Sequence, residues 1–90
     1  MNEAQRVAYR ALAAYRIPAG DREAMAKKIV AALGDVPDED LPHLIANGSS
    51  SIVAHDIGRT IVQGHVKTGR QADAAGAAIV AVAEYWASLP

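Results

Sequence analysis

The side chains whose types and spacing could support hydrolytic catalysis lie together in the middle of the 90-residue chain: Ser51, His55 and Asp56. On a helix, Ser51 and His55 are four residues apart and could contact each other. Asp56 directly follows His55 and points about 100° away from it, so it cannot orient the imidazole from the same helix. The segment also lacks the Gly-x-Ser-x-Gly sequence of a nucleophile elbow. We therefore interpret Ser51 as part of a helix cap, and we predict no catalytic site.

Metal and cofactor sites are not indicated either. The chain contains no cysteine, which leaves His43, His55 and His65 as the principal candidates for a zinc site. His55 and His65 are ten residues apart, so on one helix they are about 80° out of phase. His65 lies on an apolar helix face, where we expect a packed histidine with a hydrogen-bond partner. The glycine-rich motifs that bind phosphate groups are missing, so we predict no metal and no cofactor.

Apolar residues recur at helical spacing throughout the chain, and no segment alternates apolar and polar residues over the length of a strand. Proline and glycine separate five segments of helical length. The predicted helices span about residues 2–16, 21–33, 41–46, 50–67 and 70–88. Short connections favour antiparallel neighbours. We therefore predict an all-α fold, in which residues 1–90 form a single small bundle of four main helices and one short helix.

Residue types at the predicted helix ends indicate where each helix begins or stops. Pro18 should end the first helix, because the residue before a proline avoids the helical region. Asp21 should cap the second helix, and Gly34 should end it in a left-handed conformation. Residues 35–40 are acidic and contain a proline, which predicts a loop. Gly48, after an asparagine, should end the short helix.

The composition indicates self-association. Alanine accounts for 20 of the 90 residues and phenylalanine is absent, so the core has small side chains. Such a core buries little area per residue in a domain that is already small. The last helix has two apolar or small-residue faces, of which one would suffice for its own bundle. The second is the predicted oligomer interface: Ala74, Ala77, Ala78, Ala81 and Tyr85. We expect a homodimer through the last two helices, since two-fold dimers are the commonest closed assembly.

The charge distribution is uneven along the chain. Residues 1–33 carry a net charge of +3 and residues 34–90 carry −4, which together give the −1 of the whole chain. The candidate nucleic-acid contacts are basic residues of the first two helices: Arg6, Arg10, Arg16, Lys27 and Lys28. We expect acidic residues elsewhere in the chain to neutralise these basic side chains, because the net field of the protein is weak. Residues 41–66 have the spacing of a helix-turn-helix motif, but one arginine beside one aspartate offers little for reading bases.

These observations predict a non-enzymatic helical module, a regulatory or accessory protein that binds a protein partner or itself. The alternative is a small nucleic-acid-binding regulator that uses the basic face of the first two helices. Affinity that falls steeply with salt would distinguish the second from the first. Residues 1–16 do not resemble a signal peptide, and no stretch reaches the ~18 apolar residues of a membrane-spanning helix. We therefore expect a cytoplasmic protein.

Overall fold

The computed structural model describes residues 1–48, 54, 56–57 and 69–89. These residues form helices and no strands, which confirms the predicted all-α bundle. The helices are α1 (Glu3–Ala14), α2 (Ala19–Gly34), α3 (Leu41–Asn47) and α4 (Gly69–Ser88), and a 3₁₀ helix, Asp38–Asp40, precedes α3. The helix predicted over 50–67 lies largely outside the described residues. Only positions 54, 56 and 57 of it are described, and their backbone is helical.

The described helices pack around one hydrophobic core, and α4 is its central element because it contacts α1, α2 and α3. Each helix contributes at least one fully buried large side chain. The largest of these are Leu12, Met25, Ile29, Leu33, Leu44, Ile79 and Val82. The end of α1 and the beginning of α4 line one cleft, since both Tyr15 and Asp73 border it. The end of α1 therefore lies near the beginning of α4.

α1 begins with a capping box that the sequence signalled but that was not predicted. The Asn2 side chain accepts a hydrogen bond from the Gln5 backbone N–H at 2.8 Å. The Gln5 side-chain oxygen accepts one from the Asn2 backbone N–H at 3.0 Å. These reciprocal bonds satisfy donors that a helix start otherwise leaves unpaired. The signal was an asparagine followed three residues later by a glutamine.

α1 ends two residues earlier than predicted, and hydrogen bonding ends it before Pro18 is reached. The Arg16 N–H donates to the Ala13 carbonyl at 3.0 Å, and the Ile17 N–H donates to the Leu12 carbonyl at 3.5 Å. This is the Schellman pattern, in which the left-handed position is usually glycine. Here it is Arg16, with φ 61°. Ile17 follows and is buried in the core, as the residue after such a turn commonly is.

Two predicted end signals of α2 are wrong. The helix begins at Ala19 after Pro18, and no side chain caps it, so Asp21 lies inside the first turn. There its carboxylate still complements the positive end of the helix. Gly34 is the last helical residue and is not left-handed; the following Asp35 has φ −89°, in the right-handed region. The helix therefore ends in the right-handed helical region, without a left-handed residue.

The segment from α2 to the end of α3 contains one correction and one confirmation. Residues 38–40, predicted as loop, form a 3₁₀ turn that leads directly into α3. Asp40 holds the position before α3, but its side chain makes no capping hydrogen bond. Gly48 ends α3 with φ 57°, as predicted. This left-handed turn places Gly48 beside α4, where it borders a groove described below.

Candidate interaction surface

The chain itself covers most of the surface of α4. Counted at 100° per residue, its buried positions span about 200° of the helix. Because α1, α2 and α3 all contact α4, the buried side is wider than one apolar face and includes part of the second. The fully buried hydrophobic residues of this helix are Ala74, Ala75, Ala78, Ile79, Val82 and Ala83. The alanines permit close packing of these neighbours.

Two of the five predicted interface residues are buried inside the single chain. Ala74 and Ala78 are 0% exposed, so their side chains cannot contact a second copy without rearrangement. The other three predicted residues, Ala77, Ala81 and Tyr85, are half-buried, and the homodimer stays a prediction. The sequence pattern did not separate these two groups, because an alanine-rich helix that is apolar nearly all round does not show which side remains outside.

The side of α4 that does remain outside carries five residues, which we call the α4 stripe: Asp73, Ala77, Val80, Ala81 and Glu84. Their spacing of four, three, one and three residues places them on one side of the helix. The two acidic residues at the ends are exposed, and the three apolar residues between them are half-buried. The stripe is therefore a short apolar strip with a carboxylate at each end.

The stripe forms the floor of a groove of about 480 Å³, which we call the α4 groove. Among the described residues its other borders are Tyr15, from the end of α1, and Gly48, from the end of α3. A second cleft of about 440 Å³ is lined by Ala14, Tyr15, Arg16 and Asp73. Tyr15 and Asp73 belong to both, so the two cavities adjoin. Tyr15 is 41% exposed, an unusually open position for a large aromatic ring.

The basic face of α1 is partly neutralised, as expected. The Glu3 carboxylate lies 3.7 Å from the Arg6 guanidinium and 3.3 Å from that of Arg10. On α2, the Lys27 ammonium lies 3.2 Å from the Glu23 carboxylate. The predicted nucleic-acid residues are also divided between two helices and a turn: Arg6 and Arg10 on α1, Arg16 in the left-handed turn, and Lys27 and Lys28 on α2.

Tyr9, on the same helix as Arg6 and Arg10, contacts α2. The Arg22 guanidinium lies 5.5 Å from the centre of the Tyr9 ring, which is within cation–π range. The Nε of the same arginine donates a hydrogen bond to the Ile17 carbonyl. Arg22 therefore connects α2 to the end of α1 and covers the aromatic ring. Helical periodicity does not predict this pair, because its two residues lie on different helices.

Only some of the candidate catalytic and metal-binding residues lie within the described part of the chain. Ser51, His55 and His65 lie outside the described residues. His43 is exposed on α3, and its backbone carbonyl accepts a hydrogen bond from the Asn47 side chain at 2.9 Å. Within residues 1–48, 54, 56–57 and 69–89, no three histidine, aspartate or glutamate side chains are grouped so as to hold a metal ion. In the same part of the chain, no helix combines the length and the apolar composition needed to cross a bilayer.

Comparison of the chain with known protein families, characterised proteins and solved structures gave no match. The functional inference therefore depends on the surfaces of this chain. Among the described residues, the α4 groove combines a half-buried apolar floor with Asp73 and Glu84, which form no ion pair there. It is the surface best suited to binding.

Proposed function

We propose that this chain is a non-enzymatic helical interaction module that binds a protein partner along the α4 groove. The observation that carries the proposal is the apolar floor of the stripe, formed by Ala77, Val80 and Ala81. These residues stay partly exposed on a helix that the chain otherwise covers. Docking a helix into such a groove is a recurrent mode of protein recognition.

The shape of the groove favours a macromolecular segment over a small molecule. Sites for small ligands commonly bury 70–90% of the ligand within a concave pocket. The α4 groove instead runs along the outer side of one helix, and among the described residues its neighbours contribute Tyr15 and Gly48 to the border. A partner segment can follow such a surface and contact several turns of α4. A compact ligand would leave much of its own surface in water.

The charge pairing on α1 favours a protein partner over nucleic acid. Nucleic-acid affinity comes largely from basic side chains that neutralise phosphates. On α1 the Glu3 carboxylate already lies close to Arg6 and Arg10, and it would repel phosphate from the same face. The Tyr9 ring is engaged by Arg22, so it is not freely available to stack on a base. In the α4 groove, Asp73 and Glu84 form no ion pair with another described residue.

Site-specific photocrosslinking tests the proposal. A photoreactive phenylalanine replaces Tyr15, an exposed ring at the border of the groove, so that the floor keeps its small side chains. The control carries the same amino acid at Ala31, an exposed alanine of α2. After irradiation in lysate of the native host, we expect protein adducts from position 15 that exceed those from position 31 and survive nuclease treatment. Equal adducts from the two positions, or adducts that nuclease removes, would contradict the proposal.

A further inference from the structure

The two carboxylates of the α4 stripe define its length. Asp73 and Glu84 are eleven residues apart, which is three helical turns and about 16 Å along the axis. Both side chains are exposed, and neither forms an ion pair with another described residue. A partner that covers the apolar floor must therefore meet a negative charge at each end of its contact.

The floor between these charges is suited to close approach by another helix. Ala77 and Ala81 are one turn apart and present only methyl groups, and Val80 lies between them. Helices pack at interaxial distances of 8–10 Å, and the shorter distances require small side chains at the contact. The three turns from Asp73 to Glu84 give room for about three turns of a partner helix.

A second copy of α4 does not fit this surface electrostatically. In an antiparallel two-fold pair centred on the stripe, Asp73 lies opposite the Glu84 of the other copy. In a parallel two-fold pair, each carboxylate lies opposite its own counterpart. Both arrangements bring like charges together at the two ends of a short apolar contact, and such juxtaposition disfavours a partner. The charge positions therefore favour a partner with basic residues over a homodimer through α4.

We propose, building on the function proposed above, that the α4 groove binds an amphipathic helix of a protein partner that carries small apolar residues between two basic residues three turns apart. The basic residues pair with Asp73 and Glu84, and the small residues cover Ala77, Val80 and Ala81. The preference for a basic residue is stronger at Glu84. Arg16 lines the cleft next to Asp73 and offsets part of the negative charge at that end.

Two synthetic helical peptides of equal length test this charge preference on the full chain. Both carry alanine and valine on the contact face; one has lysine at two positions eleven residues apart, and the other has glutamate there. In fluorescence anisotropy at low salt we expect the lysine peptide to bind about tenfold more tightly, with a ratio that falls as salt screens the charges. Glu84→Gln should reduce the ratio more than Asp73→Asn does.

A bulky neutral substitution provides the control for close approach. Ala81→Gln leaves both carboxylates in place, so it should weaken both peptides without changing their ratio. The inference would be overturned if the lysine peptide failed to bind at concentrations up to ~1 mM. It would also be overturned if a chain with both Asp73→Asn and Glu84→Gln still preferred the lysine peptide. A wild-type chain that sediments as a dimer which Ala81→Gln dissociates would also overturn it, in favour of a second copy. Because crosslinking at position 15 does not depend on partner charge, the proposed function can succeed where this inference fails.

Discussion

The outer faces of α1 and α4 carry their charges in different ways. On α1, Arg6 and Arg10 share one face with the Glu3 carboxylate, which lies within 4 Å of both guanidinium groups. On α4, Asp73 and Glu84 stand at the ends of an apolar strip and have no ionic partner among the described residues. The first face is partly neutralised by its own chain, whereas the second keeps both of its charges unpaired among the described residues.

This difference shows that charge counted along the sequence is a weak guide to a binding surface. The segment 1–33 has a net charge of +3, which draws attention to α1. This net charge already includes the acids of the segment, and their positions weaken the local field on α1, because Glu3 lies beside both Arg6 and Arg10. A surface with fewer charges can be the better binding site when those charges lack partners in the chain and flank apolar area.

The largest expected effect distinguishes the buried side of α4 from its outer stripe. Ala78→Glu places a carboxylate at a position with 0% exposure and should destabilise the fold by more than about 3 kcal/mol. The matched change Ala81→Glu lies on the stripe and should cost less than about 1 kcal/mol. Urea unfolding monitored by circular dichroism measures both. If Ala78→Glu gave a monomer as stable as the Ala81→Glu chain, Ala78 would belong on an outer face and the predicted dimer interface would return.

The next effect concerns the turn that brings Gly48 to the border of the α4 groove. Gly48→Ala should destabilise the chain by about 1–3 kcal/mol, since residues with a Cβ rarely adopt φ 57° with ψ −139°. Apart from its chain neighbours, no described residue has an atom within 4 Å of the added methyl group, so this cost comes from the backbone. Gly34→Ala is the matched control, because Gly34 also has open space around it but lies in helical conformation.

The control should change stability in the opposite direction. Alanine in a helix is more favourable than glycine by about 0.5–1 kcal/mol, so Gly34→Ala should raise the denaturation midpoint. A loss of stability on Gly34→Ala would mean that this glycine is left-handed, as its position after an apolar helix suggests from sequence alone. If Gly48→Ala lowers stability and Gly34→Ala raises it, a glycine at the end of a helical pattern can mark two different kinds of helix end.

Strong periodic patterns made much of the fold predictable from sequence. On α2, Met25, Ile29 and Leu33 follow a spacing of four residues, and all three are buried. Large apolar side chains at this spacing have one energetically reasonable orientation, toward the core. The Glu23–Lys27 ion pair on the opposite side of the helix follows from the same spacing.

The candidate site was less predictable, because alanine carries little information about orientation. Burying the single methyl group of an alanine changes the free energy only slightly. The sequence therefore does not show whether Ala74 or Ala81 is the buried residue. The positions of α1, α2 and α3 around α4 decide which of them is covered, and those positions depend on contacts distant in sequence. The left-handed Arg16 was missed for a related reason: the hydrogen bonds and the burial of Ile17 stabilise it, not its own preference.

The smallest expected effect tests whether α1 is a satisfied face. Glu3→Gln removes the carboxylate that neighbours Arg6 and Arg10, and stability should fall by only about 0.5 kcal/mol, because both pairs are exposed. If the face does not serve nucleic acid, the variant and the wild type should both fail to shift duplex DNA or RNA in a gel at low salt.

Glu23→Gln, which removes the ionic partner of Lys27 on α2, is the control for a general increase in positive charge. A shift that appears with Glu3→Gln, is absent with Glu23→Gln and weakens steeply with salt would show that Glu3 screens a phosphate-binding face. In that case α1, and not α4, would be the binding surface, and Glu3 would be the residue that weakens phosphate binding to it.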